Sequence, residues 1–241
     1  MDASIRLVTW NCCRGFFSNK VPLLDSLAAD IAVGQECARP EVECETRVWF
    51  GDNPRQGITV LASNGYQIRA LPTEADVPKF VFPLEVTGPV NFSLLVVWSK
   101  GKQKYRYVMG IVKAIRIYRD LIRNSPTVVI GDFNSNAIWD SWHPPDLNHS
   151  ALVTLLSQLG LVSSYHQFYR ETHGAETHPT FYLRRDKQRP YHIDYCFVPE
   201  SWISRIQSVQ IGSDDDWQKH SDHRPLLVQI GSREAHKDAH K

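Results

Sequence analysis

Asp132 and Asn134 stand two apart in TVVIGDFNS (127–135), directly after the apolar run Val128, Val129 and Ile130. An unbroken run of this kind suits a strand buried on both faces. Gly131 is expected to let the backbone turn tightly where the run stops. A carboxylate and an amide at the mouth of a buried strand are placed to meet a ligand, because sites gather at strand ends and on the loops that leave them. An ordinary turn is the competing reading, since Gly, Asp and Asn are also common turn residues.

Other groups fall at comparable places. Asn11 closes the strand pattern IRLVTWN, Glu36 follows the strand pattern at 31–34, and Asp194 opens the apolar stretch of HIDYCFV. Asp222 and His223 precede a last apolar run, LLVQI. Singly, each has a structural explanation: a capping asparagine, a solvated glutamate, one histidine among ten. As a set they hold what hydrolysis of a phosphate ester requires. A phosphodiester is anionic and repels a nucleophile. A hard divalent cation offsets that charge, and magnesium prefers oxygen ligands, usually one or two carboxylates plus waters. A water must be oriented, the five-coordinate phosphorus stabilised and the leaving oxygen assisted. A histidine held by a carboxylate keeps a fixed tautomer and can gain charge during the reaction. No Cys/His cluster has the spacing of a zinc site.

The elements that must position these groups follow from the pattern. Strands are expected at 5–11, at 31–34, within 39–53, and at 92–98, the last nearly all apolar and central. GITVLASNGYQIRAL reads as two strands joined in a hairpin at Asn64-Gly65. Helices are expected at 21–29, with Pro22 in the first turn, at 106–124, and at 150–159 before Gly160. A basic turn (Arg184, Arg185, Lys187, Arg189) leads to a strand at 191–198. Hairpins mixed with helical crossovers argue for two packed sheets with helices outside. No repeat or linker interrupts the chain, so one domain is expected at 1–231, with a polar tail at 232–241.

Composition sets outer bounds. The chain of 241 residues is 42% hydrophobic and 22% charged, as in an ordinary globular protein. A net charge of +1 singles out neither nucleic acid nor membrane. Nothing resembles a signal peptide or a bilayer-spanning run, so the cytoplasm is the default expectation. Cys12, Cys13, Cys37, Cys44 and Cys196 are scattered and odd in number, which fits free thiols better than a disulfide framework.

TWN, the QE after a strand, GDFN, HIDY and SDH, in this order, resemble the motif set of the endonuclease/exonuclease/phosphatase superfamily, the fold of pancreatic-type deoxyribonuclease and exonuclease III. The match spans Asn11 to His223. The resemblance implies a four-layer α/β sandwich, two mixed and mainly antiparallel sheets flanked by helices. It implies a magnesium-dependent hydrolase, with manganese as a substitute. Glu36 would be the main metal ligand with Asn11 beside it, and Asp222 would sit close to the metal. Asp132 would position or activate the attacking water, Asn134 would hold the phosphate, and His223, held by Asp194, would contact the phosphate or act as base. One position departs: relatives carry His or Tyr near the end of the strand before the basic helix, where this chain offers Trp98. Indole only donates a hydrogen bond, so a metal-bound water, Lys100 or Tyr105 would have to replace that group.

The superfamily divides among nucleic acids, nucleotides, inositol phosphates and sphingolipids, and fold does not fix substrate. WSKGKQKYRY, with Lys100 and Lys102, and YLRRDKQRPYH, with Arg184, Arg185 and Tyr191, interleave cations with aromatics. Such mixtures bind phosphates and stack on bases; solvated hairpin turns are the alternative. The expectation is a magnesium-dependent nuclease, DNA favoured, working as a monomer without a membrane partner. The alternatives are a phosphatase or phosphodiesterase on a small nucleotide or inositol phosphate, and a non-catalytic binding module on the same fold.

Overall fold

The computed structural model describes residues 4–42, 44–74, 76–78, 80–101 and 106–232. Among them lie fourteen strands: β1 (Ile5–Asn11), β2 (Ile31–Cys37), β3 (Arg47–Asn53), β4 (Gln56–Ala62), β5 (Gln67–Ala70), β6 (Val81–Thr87), β7 (Phe92–Trp98), β8 (Thr127–Asp132), β9 (Leu161–Ser163), β10 (Phe181–Tyr182), β11 (Pro190–Tyr191), β12 (Asp194–Pro199), β13 (Ile206–Ile211) and β14 (Leu226–Ile230). Six α-helices join them: α1 (Phe17–Asp25), α2 (Val108–Ile117), α3 (Arg119–Asn124), α4 (His149–Gln158), α5 (Ser164–Tyr169) and α6 (Asp214–Trp217). No helix of the described residues is long and apolar enough to cross a membrane.

Two six-stranded sheets form the interior, ordered β13-β14-β1-β2-β4-β3 and β5-β6-β7-β8-β12-β9. Each has one parallel pair near its centre, β1 with β2 and β7 with β8. The remaining neighbours run antiparallel. Alternation decides which side chain faces which layer. Leu7, Val33 and Val60 meet Leu94, Val128 and Ile130 between the sheets. Val8, Trp10 and Ala32 point the other way, onto Leu24 of α1 and Trp217 of α6. Leu95, Val97 and Val129 point onto Ile111 and Ile115 of α2 and Leu152 of α4. The result is the expected four-layer α/β sandwich.

Several local expectations need correction. The strands around Asn64-Gly65 do not form a hairpin. Both turn residues have positive φ (54° and 82°), but β4 pairs with β2 and β3 in one sheet while β5 pairs with β6 in the other. The tight turn serves as a crossing between layers, with Tyr66 buried behind it and Asn64 Nδ2 donating to Asp30 Oδ1 at 2.6 Å. Pro22 lies inside α1, not in its first turn. It forgoes one helical hydrogen bond in a short helix that packing of Leu24 holds on the sheet. The helix expected at 106–124 breaks at Tyr118 into α2 and α3. The strand expected at 191–198 breaks at His192–Ile193, where the chain leaves the β10/β11 ribbon and enters the main sheet. Among the described residues the five cysteines are unpaired; Cys12, Cys37 and Cys196 are buried.

Gly131 also differs from expectation. It belongs to β8, not to a turn after it. Its φ is +147°, and a Cβ built there would lie 1.9 Å from the backbone oxygen of Val97 on β7. Only glycine permits this approach. Gly131→Ala is therefore expected to cost roughly 3 kcal/mol or more, read as a fall in the urea midpoint. A change within experimental error would contradict the contact.

Candidate active site

The two parallel pairs end on the same side of the molecule, and the groups singled out in the sequence gather there. β1 ends in Asn11 and β8 in Asp132. Asp194, the first residue of β12, pairs in register with Asp132. His223 lies just before β14, next to β1. Glu36 sits inside β2 rather than after it, at a bulge where the register with β4 skips between Gln35 and Cys37. Its φ is +57°. The extra residue breaks the alternation of the strand and re-aims its side chain.

One hydrogen-bonded cluster results. Asn11 Nδ2 donates to Asp132 Oδ2 at 2.9 Å and reaches Glu36 Oε1 at 3.5 Å. Its Oδ1 accepts from the Cys13 amide. Asn134, held at φ +45°, donates its backbone N–H to Asp132 Oδ1 and its Nδ2 to Asp132 Oδ2, both at 2.9 Å. Glu36 Oε2 accepts from Gln56 Nε2 at 3.1 Å and lies 3.6 Å from Arg14 Nε. His223 Nδ1 pairs with Asp194 Oδ2 at 2.9 Å. Asp132, Asp194 and His223 each offer a ligand atom, all within 4.8 Å of one another. Ser221 ties the last loop to β1, donating to the Asn11 carbonyl at 2.7 Å and accepting from the His223 amide at 2.9 Å. Asp222 is half-buried beside Ser221 Oγ and accepts at its carbonyl from the Tyr182 amide.

Burial sets the electrostatics. Asp132 has no solvent exposure. Burial pushes its carboxyl up to about 7, with His223 and the Asn11 and Asn134 hydrogen bonds restraining the rise and Asp194 adding to it. For His223, burial opposes the charge, but the Asp194 carboxylate and its hydrogen bond outweigh it and bring the imidazole up to about 9. A charged histidine locked on a buried carboxylate thus stands beside a carboxyl poised near neutrality.

The other sequence candidates lie around this cluster. Trp98 points into the core between the sheets, 5.0 Å from Phe80. Lys100 Nζ lies 3.3 Å from the Trp98 ring centroid and 3.8 Å from that of Phe80. Burial lowers the Lys100 ammonium to about 8, against the opposing pull of Glu36 and Asp52. Arg184 and Arg185 are exposed, both at positive φ, between β10 and β11. Tyr191 packs on Trp139 at 5.0 Å and on Phe181 at 6.4 Å. Lys102 and Tyr105 lie outside the described residues.

Sequence reasoning missed a buried polar network behind the GDFN loop. Asn136 Nδ2 donates to Glu176 Oε2 at 3.0 Å and to the His192 carbonyl at 2.9 Å. His166 Nε2 pairs with Glu176 Oε1 at 3.1 Å, Ser135 Oγ with His149 Nδ1 at 3.1 Å, and His149 Nε2 with His173 Nδ1 at 3.1 Å. This ties the loop after Asp132 to the loop before Asp194. The available signal was the concentration of His149, His166, His173, His178 and His192 between two motifs. The His166 and His173 rings stack at 3.5 Å, tilted by 20°. Burial pushes His149 and His192 down to about 4 and His173 to about 2.

These depressed values fix a pH dependence. Between about pH 4 and 6.5 the unfolded chain binds protons at these three histidines that the folded chain refuses, while Asp132, held near 7, binds one more when folded; the histidines outnumber it, so stability rises with pH across that window. The expected slope is about 1.4 kcal/mol per pH unit for each histidine fully in its window. Urea midpoints from pH 4 to 7 read it, and His173→Gln should flatten the curve. A stability independent of pH there would contradict neutral burial.

No family model matches the chain, and no curated protein sequence matches it. Solved structures do. A 3′-5′ exonuclease (NExo) from Neisseria meningitidis superposes with a TM-score of 0.68 at 19% identity, over 94% of this chain and 100% of that one. An AP endonuclease from Archaeoglobus fulgidus gives 0.68 at 17%, over 93% and 98%. The endonuclease domain of TRAS1, a telomere-specific non-LTR retrotransposon, gives 0.67 at 15%, over 95% and 99%. At these identities the likeness establishes a shared fold.

Proposed function

We propose that this chain is a magnesium-dependent phosphodiesterase that hydrolyses nucleic acid, with DNA favoured. The observation that carries the reading is the single cluster formed by Asn11, Glu36, Asp132, Asn134, Asp194 and His223, drawn from five separate stretches of sequence. The names of the structural neighbours, nucleases among them, support it. One neighbour is named as a 3′ phosphatase bound to a product DNA hairpin.

The donor set fits a hard cation. The acidic groups offer oxygens, and Asp194 Oδ1 is buried with no hydrogen-bond partner. Glu36, steadied by Gln56 and Asn11, would hold magnesium, with Asp222 close by. Asn11 turns its N–H group to the two carboxylates, which suits orienting Glu36 more than ligation. The cation would offset the charge of the phosphate.

The remaining roles belong to the chain. Asp132 is the proton acceptor for the attacking water, since a carboxyl near 7 matches neutral operation. Asn134 fixes both Asp132 oxygens; its second Nδ2 hydrogen goes to the Ser99 carbonyl at 3.1 Å, so a contact with the phosphate would draw that hydrogen away from Ser99. His223 carries its proton on Nδ1 toward Asp194, and its Nε2–H donates to a phosphoryl oxygen as negative charge develops there. Lys100 supplies an ammonium near Glu36 in place of the group that relatives carry at the Trp98 position.

The test is cleavage of end-labelled single-stranded DNA, duplex DNA, abasic duplex, RNA and a 3′-phosphorylated oligonucleotide, with magnesium and with chelator. Asp132→Ala and His223→Ala are each expected to lower kcat by roughly 10²–10⁴. Turnover that persists in chelator would remove the metal from the reading. Failure to cut any polymer would move it to small phosphate esters.

A further inference from the structure

A cavity of about 450 Å³ opens beside the acidic cluster, lined by Asn134, Arg106, Tyr107, Trp139, Trp142 and neighbouring side chains. Its size falls in the range of ligand sites, about 300–1,000 Å³. Asn134 belongs to both places: it walls the cavity and hydrogen-bonds Asp132. Whatever fills the cavity is thus adjacent to the reacting phosphate.

The wall is aromatic in an ordered way. Trp142 and Trp139 lie 6.1 Å apart with planes at 18°. Trp139 packs on Tyr191, Tyr191 on Phe181 at 28°, and Phe181 on His223 at 4.6 Å. A file of rings therefore runs from the cavity to the catalytic imidazole. At its outer end Trp142 is 75% exposed, its face open to a stacking partner. The segment that carries it is held firmly. Asn136 Oδ1 caps the 3-10 turn Ala137–Trp142 at the Ile138 amide, and the Asp140 carboxylate accepts from the His149 amide at 2.8 Å. Arg106, an exposed residue, stands at the same cavity, its Nε donating to the Gly101 carbonyl at 3.1 Å.

We propose that this cavity binds the nucleobase of the nucleotide next to the scissile phosphate, stacked on Trp142, and that the preferred substrate is a strand whose base at that position is unpaired. The choice of ligand rests on the nuclease reading above. A flat π-face matches any base, a cation beside it suits the backbone, and the position is continuous with the phosphate site. Inside a duplex both faces of a base are already stacked, so only a single-stranded, terminal or flipped nucleotide can lay a face on the indole. The net charge of +1 agrees, since a broad duplex footprint requires an excess of cations.

The test uses the full chain in chelator, so that nothing is cut. Fluorescence anisotropy measures its affinity for a short end-labelled oligothymidylate and for a chain of equal length with every base removed. The base-bearing chain is expected to bind about 5- to 100-fold more tightly. Trp142→Ala should remove most of that advantage and Trp142→Phe should keep most of it. Equal affinities for the two chains, or an advantage undiminished in Trp142→Ala, would overturn the proposal. The two readings fail separately. Metal-dependent cleavage lost in Asp132→Ala, together with equal affinities, leaves the nuclease and removes the base site. The expected affinity difference without any cleavage leaves the base site on a binding module and removes the hydrolase.

Discussion

A carboxylate with no access to solvent must find its stabilisation inside the protein, and Asp132 is such a group. Its three hydrogen bonds come from Asn11 and Asn134, so β1 and the loop after β8 are fastened to one another through it. The His223 charge lies close to it, itself held by Asp194. Neither sheet supplies all of these partners: Asn11 and His223 belong to one, Asp132 and Asp194 to the other. The packing of the two sheets and the electrostatics of the cluster are therefore one problem. A slip between the layers would leave a buried charge without partners.

Much of this was legible in the sequence because strand ends are legible. Apolar runs mark the buried strands, and the polar residue that closes or opens each run marks where the chain reaches the rim. Asn11, Asp132, Asp194 and His223 were found in this way. Glu36 was found by the same rule but for an incomplete reason, since the bulge and positive φ that aim it are tertiary features with no signature in the residues QE. The Asn64-Gly65 turn shows the limit plainly. Its local chemistry fixed the dihedrals, but whether the following strand folds back or crosses to another layer depends on the edge it finds. The histidine network was hidden for another reason: its members come from several elements, and only the fold brings them behind one loop.

The Trp98 departure looks different once its surroundings are known. The indole is core, packed on Phe80, and the Lys100 ammonium lies on the indole face. An aromatic ring beneath a cation stabilises its charge. The buried indole and the cation on its face form one arrangement.

The order of strands carries a consequence for how the molecule is made. β14 lies between β13 and β1, so the first sheet stays open along β1 until the last strand arrives. The same arrival delivers Ser221 and His223 to Asn11 and Asp194. During synthesis, the nascent chain exposes an unpaired strand edge and holds an inert cluster until residues near 230 have left the ribosome. Assembly of the cluster is thus coupled to completion of the sheet, and a chain stopped short of β14 leaves its histidine unanchored and is prone to pair its open edge with another copy.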